Sequence, residues 1–228
     1  MTINFAPAKG LKRINNWRIL LYGKPGVGKT SAIRNLPGKT LVVDLDNSSR
    51  VLAGEDNIFI VPFDRQHPSQ SMEELLRDIP TTIEENHFDT LVIDNVSSLE
   101  KDWFVEKGRE SKNGISNELQ HYSQWTNYFA RIMTVIYELP INILVTAWEV
   151  NDDVPNESGQ TFKKFVPEIR ANSRNGLLGL TDMVGRMMIN PDTGNRGVIL
   201  SGNDFVTAKN RLDNRTASSS EDLFKFDV

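Results

Sequence analysis

The sequence predicts an α/β fold: a mostly parallel sheet with helices on both faces and a short β extension at the C-terminal end. Short β-branched apolar runs recur along the first two thirds of the chain, and helical patterns alternate with them. The runs are apolar at nearly every position rather than at every second one. Strands of that kind are buried on both faces, as in parallel sheets covered by helices. Strand–helix alternation is the pattern of doubly wound domains. At 228 residues the chain can bury one substantial core, and one domain is the expectation.

The expected strands are Arg18–Tyr22 (RILLY), Thr40–Asp44 (TLVVD), Ile58–Val61 (IFIV), Thr90–Asp94 (TLVID) and Asn142–Thr146 (NILVT). Between the third and fourth, Ser71 to Glu74 reads as a capping box opening a helix, which Pro80 ends or restarts. A long helix is expected from about Glu118 to Glu138, where Leu119, Tyr122, Trp125, Phe129, Ile132, Met133 and Ile136 recur at three-to-four spacing. The polar stretch Asn151–Phe165 reads as a mobile loop. After it, VGRMMIN, GVILS and FVTA read as short strands joined by turns at PDTGN and SGND. The Ser-rich, acidic segment 216–228 reads as disordered, with Phe224 and Phe226 as a docking end.

Composition narrows the function. Hydrophobic residues at 39% and charged residues at 25% are ordinary for a globular chain, and no run of eighteen apolar residues exists to span a membrane. With no cysteine there is neither a disulfide nor a thiolate metal site. The N-terminus has cations but no apolar stretch of the secretory kind, so a cytoplasmic protein is expected. Net charge is −4, which argues against a bulk nucleic-acid coat, yet Gln160 to Arg215 holds nine Lys/Arg against five Asp/Glu. A local basic face therefore remains open.

The chemistry begins at Gly23-Lys24-Pro25-Gly26-Val27-Gly28-Lys29-Thr30, a full G-x-x-x-x-G-K-T running on into Ser31, directly after one strand and directly before a helix. That context is what a phosphate loop requires. Its glycines let the backbone wrap the phosphates, so that successive N–H groups point inward. Lys29 then reaches the β- and γ-phosphates, and the Thr30 hydroxyl ligates Mg²⁺. Asp94, at the carboxyl end of its strand, completes the metal site. To orient or deprotonate the attacking water, Asp46 is the candidate, because it lies just past the strand end; Asp44 and Glu149 are rivals. In Phe162-Lys163-Lys164-Phe165, two cations lie between two aromatics, a pattern suited to single-stranded DNA, with phosphate contacts beside base stacking.

With these residues in order, the chain resembles RecA-type recombinase cores from about Arg18 to Arg215. Within them it resembles the compact phage-encoded RecA-like ATPases that include ATP-dependent single-strand annealing proteins. VVDLD matches the strand ending in an acidic catalytic residue, IDNVSSL matches the Mg²⁺-aspartate strand, and AKNR matches a Lys-Asn-Lys/Arg signature. The resemblance implies Mg-ATP hydrolysis stimulated by single-stranded DNA, assembly into rings or filaments, and a single-strand-binding protein as a partner. It also implies that Lys209 and Arg211 reach ATP held by the adjacent subunit. Segment 1–17 is then an arm ahead of the core, with Phe5–Ala8 (FAPA) matching a Phe-x-x-Ala subunit tether. Phe205–Ala208 (FVTA) matches equally well. Two departures stand out: no Gln or Asn ends the fifth strand, and the acidic catalytic residue is Asp rather than Glu. An AAA+ helicase loader or remodeller and a small-molecule phosphotransferase are the rival functions. Against the first, β-strands rather than a helical lid follow the core.

Overall fold

The computed structural model describes residues 7–10, 15–155 and 160–226. Eleven strands and five α-helices follow one another: β1 (Arg18–Tyr22), α1 (Lys29–Ala32), β2 (Thr40–Asp44), β3 (Ile58–Pro62), α2 (Pro68–Asn86), β4 (Thr90–Asp94), α3 (Val96–Glu110), α4 (Leu119–Tyr137), β5 (Asn142–Ala147), β6 (Glu149–Pro155), β7 (Thr161–Pro167), α5 (Ala171–Leu180), β8 (Met183–Ile189), β9 (Arg196–Ile199), β10 (Lys209–Asn210) and β11 (Ala217–Ser219).

The main sheet runs β11-β9-β8-β1-β5-β4-β2-β3, with β10 also pairing to β8. From β8 to β3 every pairing is parallel; β9, β10 and β11 are added antiparallel. The expected α/β architecture is thus the observed one. Successive residues of the central strands alternate between two cores. Leu20, Tyr22, Val43, Ile93 and Val145 face α2, α3, α4 and α5, whereas Ile19, Leu21, Val42, Val92 and Leu144 face α1 and the C-terminal segment. Burial on both faces is why these strands carry no polar alternation. β3 is the exception: as an edge strand it leaves Phe59 and Ile60 about 40% exposed (43% and 40%).

Several elements differ from the sequence reading. α2 begins at Pro68, with Pro at the first turn, so Ser71 lies inside the helix rather than capping it. Pro80 neither ends nor restarts that helix; it sits exposed within it, where solvent can satisfy the carbonyl it leaves unpaired. α4 starts after Glu118, whose carboxylate and His121 form a reciprocal cap, and Leu119 and Tyr122 fall outside the buried stripe. The stretch expected as a mobile loop is an antiparallel hairpin of β6 and β7 with seven paired positions. Glu149, Asp152 and Asp153 interrupt β6, so it carries no apolar alternation to read. FVTA is not a strand: only Val206 makes a bridge, to Phe165, and Lys209–Asn210 forms the strand instead.

The segment expected to be disordered is built into the fold as far as Phe226. β11 zips onto β9, Leu223 and Phe224 are buried, and the Phe224 ring stacks on Trp17 at 5.9 Å. Two adjacent large apolar residues outweigh the Ser-rich stretch before them, because they seal the second face of the sheet. Trp17, assigned to the arm by sequence, belongs to the core for the same reason. Phe5 and Ala6 of the tether candidate lie outside the described residues. No described helix is long and apolar enough to cross a membrane.

Candidate nucleotide site

The carboxyl ends of β1, β2, β4 and β5 lie side by side, with β5 between the phosphate-loop strand and the Asp94 strand. The register sets Asp44 opposite Asp94 and Leu21 opposite Thr146. A cavity of about 410 Å³ opens over these ends, lined by Gly26, Gly28, Lys29, Thr30, Ser31, Asp46, Ser48, Asp94, Asn95, Trp148 and Arg196, with Pro25 and Val51 at its rim.

The phosphate loop is formed as its motif requires. Gly28 immediately precedes α1 with φ 104°, a conformation that would strain any side chain-bearing residue. Gly23 is fixed for a different reason: a β-carbon there would lie 2.5 Å from the Met187 carbonyl of β8. Lys29 is buried, and its ammonium donates to the Gly23 and Lys24 carbonyls at 2.9 and 3.1 Å. Burial draws its pKa down, against the opposing pull of Asp94, Asp46 and Glu149.

Asp94 gathers three hydroxyls. Thr30 donates to its Oδ2 at 2.7 Å, Ser48 approaches the same oxygen at 3.4 Å, and Thr146 donates to Oδ1. Only 2% of Asp94 is exposed, and burial pushes its carboxyl above the usual carboxylate range. A carboxylate and hydroxyls, all hard oxygens, converge on one point with a charge that solvent cannot stabilise. That donor set fits Mg²⁺, which holds few protein ligands and completes its shell with water and phosphate. Thr30 and Asp94 would hold it, and Ser48 is a third oxygen that the sequence reading missed.

Asp46 and Asp44 part company here. Asp46 lines the cavity, accepts from the Ser48 N–H at 3.1 Å and receives the Asn95 amide. Asp44 does not line the cavity and caps the turn after β2, accepting from the Ser48 and Ser49 N–H groups at 2.9 and 3.2 Å. The rival Glu149 is engaged in an ion pair with Arg186 at 2.7 Å, its side chain 3% exposed, and does not line the cavity. Thr146, at the place where the resemblance expects Gln or Asn, bonds Asp94 directly.

The remaining candidates are elsewhere. Lys209 and Arg211 do share a side, but both point at the Gly179 carbonyl near the end of α5, each at 3.4 Å, and neither lines this cavity. In the hairpin, Lys163 pairs with Asp153 at 3.3 Å. Phe162 meets Phe205 edge-on at 5.6 Å, and Phe165 lies under the Arg186 guanidinium at 3.5 Å. One face of the Phe165 ring is thus covered by Arg186.

The AAA domain family matches residues 15–212 of the chain. The protein belongs to the AAA domain family. No curated protein matches it in sequence. The protein is an AAA-domain P-loop ATPase; Gly23–Ser31 would hold the nucleotide, and the oxygens around Asp94 suit the metal that accompanies it. After α5 the matched region closes with β8 to β10 rather than with a helical lid among the described residues. Arg196 and Trp148 are cavity residues that sequence reasoning did not find. Arg196 has no local signal, since 169 positions separate it from Val27, whose carbonyl it bonds. Trp148 was visible only as the residue after a strand.

Proposed function

We propose that this AAA domain is a RecA-like motor or switch that hydrolyses Mg-ATP and acts on single-stranded DNA, in recombination or annealing of the phage type. The observation that carries the reading is the way α3 joins the nucleotide site to the hairpin. α3 starts directly after Asp94 and Asn95, and its first turns hold both roots of the β6–β7 hairpin. Ser97 Oγ accepts from the Trp148 N–H at 2.9 Å before β6. After β7, Glu100 accepts from the Arg170 N–H at 3.0 Å and Lys101 pairs with Glu168 at 2.8 Å. Lys101 also lies over the Trp148 ring at 4.3 Å. A change at Asp94 or Asn95 on loss of the γ-phosphate thus has a short, packed route to the hairpin.

In this reading the DNA lies along β7, with Lys164, which makes no ion pair among the described residues, and the Phe162–Phe205 edge as its contacts. Lys163 joins them by exchanging Asp153 for phosphate. Lys209 and Arg211 serve the ATP of a neighbouring subunit in a ring or filament. They stand together without an ion-pair partner among the described residues, and burial, then Arg211, draws the Lys209 ammonium down. Like charges so placed are stabilised when an anion arrives. A single-strand-binding protein is the expected partner.

The test is ATP turnover with and without single-stranded DNA, together with DNA affinity against salt. Stimulation by DNA is expected, with a steep fall in affinity as salt rises. Lys163→Ala/Lys164→Ala should flatten the log–log slope by about 1.4, from about 0.7 per phosphate neutralised. If DNA neither binds nor stimulates, the function passes to remodelling of a protein partner, in keeping with the AAA family.

A further inference from the structure

We propose that Arg196 is a nucleotide ligand supplied in cis, its guanidinium binding the phosphate chain held by its own phosphate loop. The proposal rests on the ATPase reading of the site and adds to it a cation that lies outside the phosphate-loop motif. β8 runs beside β1 and ends at Ile189; β9 returns antiparallel, so its first residue, Arg196, stands opposite Ile189. From there the side chain crosses to the loop, where Nε donates to the Val27 carbonyl at 3.1 Å. A β-carbon on Gly28 would lie 2.6 Å from Nε, 2.8 Å from Cδ and 3.5 Å from Cζ. The guanidinium therefore rests against the bare Cα of Gly28, and that glycine is needed for this contact as well as for its φ.

Nε is occupied, but the two terminal nitrogens make no hydrogen bond or ion pair among the described residues, and Arg196 forms part of the cavity wall with Lys29, Thr30 and Ser31. A planar fork with free N–H groups matches two phosphate oxygens. The charges in the cavity point the same way. Asp46 and Asp94 are joined to Asn95, Ser48, Thr30 and Thr146, and neither pairs with Arg196. Lys29 and Arg196 thus enter one cavity as two cations, and a polyanion between them removes their repulsion. Arg196 differs in this from Lys209 and Arg211, whose side chains reach Gly179 instead.

Binding of a fluorescent ATP analogue, displaced by inorganic tripolyphosphate, tests the assignment. Wild-type protein must first bind the analogue; failure there would reject the ATPase reading itself. Arg196→Ala and Arg196→Gln should each weaken the analogue by tenfold or more and tripolyphosphate in parallel. Arg196→Lys should recover part of the loss, with melting temperatures unchanged throughout. Wild-type affinity in both neutral variants would overturn the proposal. So would a loss for the analogue with tripolyphosphate unaffected, because the contact would then be to the base or sugar.

Discussion

The two flanks of β1 carry their polar groups in opposite ways. On the β5 side, Thr30, Ser48, Thr146, Asp94, Asn95 and Asp46 are joined in one hydrogen-bonded set, half of it buried. On the β8 side lie Arg196, whose terminal nitrogens make no bond among the described residues, Lys209 and Arg211 without ion-pair partners among them, and Arg186, closed off by Glu149. A site for a small metal ion can be assembled in advance from short side chains on adjacent strand ends. On the proposed function, cations that serve a phosphate chain or a neighbouring subunit stay open until that anion arrives. The first flank is expected to govern chemistry and the second binding and coupling.

The strongest way to break this comparison is to remove the first flank. Lys29→Ala and Asp94→Asn should each lower phosphate release by roughly a hundredfold or more, the usual scale for loss of preorganised electrostatic stabilisation. Wild-type turnover in both would mean the site is misassigned.

Next is the choice between the two aspartates of one strand end. Asp46→Asn should leave nucleotide bound and slow hydrolysis by roughly a hundredfold, the scale of general-base catalysis. Asp44→Asn, which weakens a cap on two backbone N–H groups, should instead lower the melting temperature by a few degrees and change turnover little. The reverse ranking would transfer the base to Asp44. A loss confined to Glu149→Gln would transfer it to a residue now seen in an ion pair.

A third experiment separates the cations of the second flank. Lys209→Ala/Arg211→Ala should bind ATP almost normally, lose DNA-stimulated hydrolysis, and regain part of it when mixed with Lys29→Ala. Arg196→Ala should not recover in such a mixture, since its own phosphate loop lacks the ligand. No recovery for the double variant, with co-assembly demonstrated by light scattering, would leave Lys209 and Arg211 as cations capping the end of α5.

The smallest effect concerns Glu100, which ties α3 to the far root of the hairpin. Burial, partly offset by the Arg170 N–H and charge, raises its pKa to about 7, against about 4.3 for an unperturbed glutamate. The folded protein therefore holds this proton more tightly than the unfolded chain. Its contribution to stability is complete below about pH 4.3 and is lost as pH rises through about 7. Glu100→Gln should melt close to wild type at pH 5 and a few degrees higher at pH 8. Equal pH slopes for the two proteins would rule out Glu100 as the group responsible.

The sequence by itself determined the parallel core and most of the metal and phosphate site. Strands buried on both faces must be apolar throughout, so β1, β2, β4 and β5 are legible one by one. A phosphate loop is equally local: its glycines, Lys29 and Thr30 lie within eight residues, and Lys29 bonds carbonyls of the same loop. Asp46 and Asp94 were visible because a carboxylate at the end of a buried strand stands out against its neighbours. Tertiary structure alone decided the rest. Asp44 and Asp46 have the same chemistry two residues apart, and only the turn after β2 determines which one faces the cavity. The hairpin could not be read because Glu149, Asp152 and Asp153 fall among the apolar residues of β6 and leave no apolar alternation. The C-terminal segment is ordered by Leu223 and Phe224 meeting a face built from distant strands. Arg196 reaches Val27 across 169 positions through the register of β8 with β1 and of β9 with β8. Strand register between segments so far apart is fixed by packing of the whole sheet, and no short stretch of sequence encodes it.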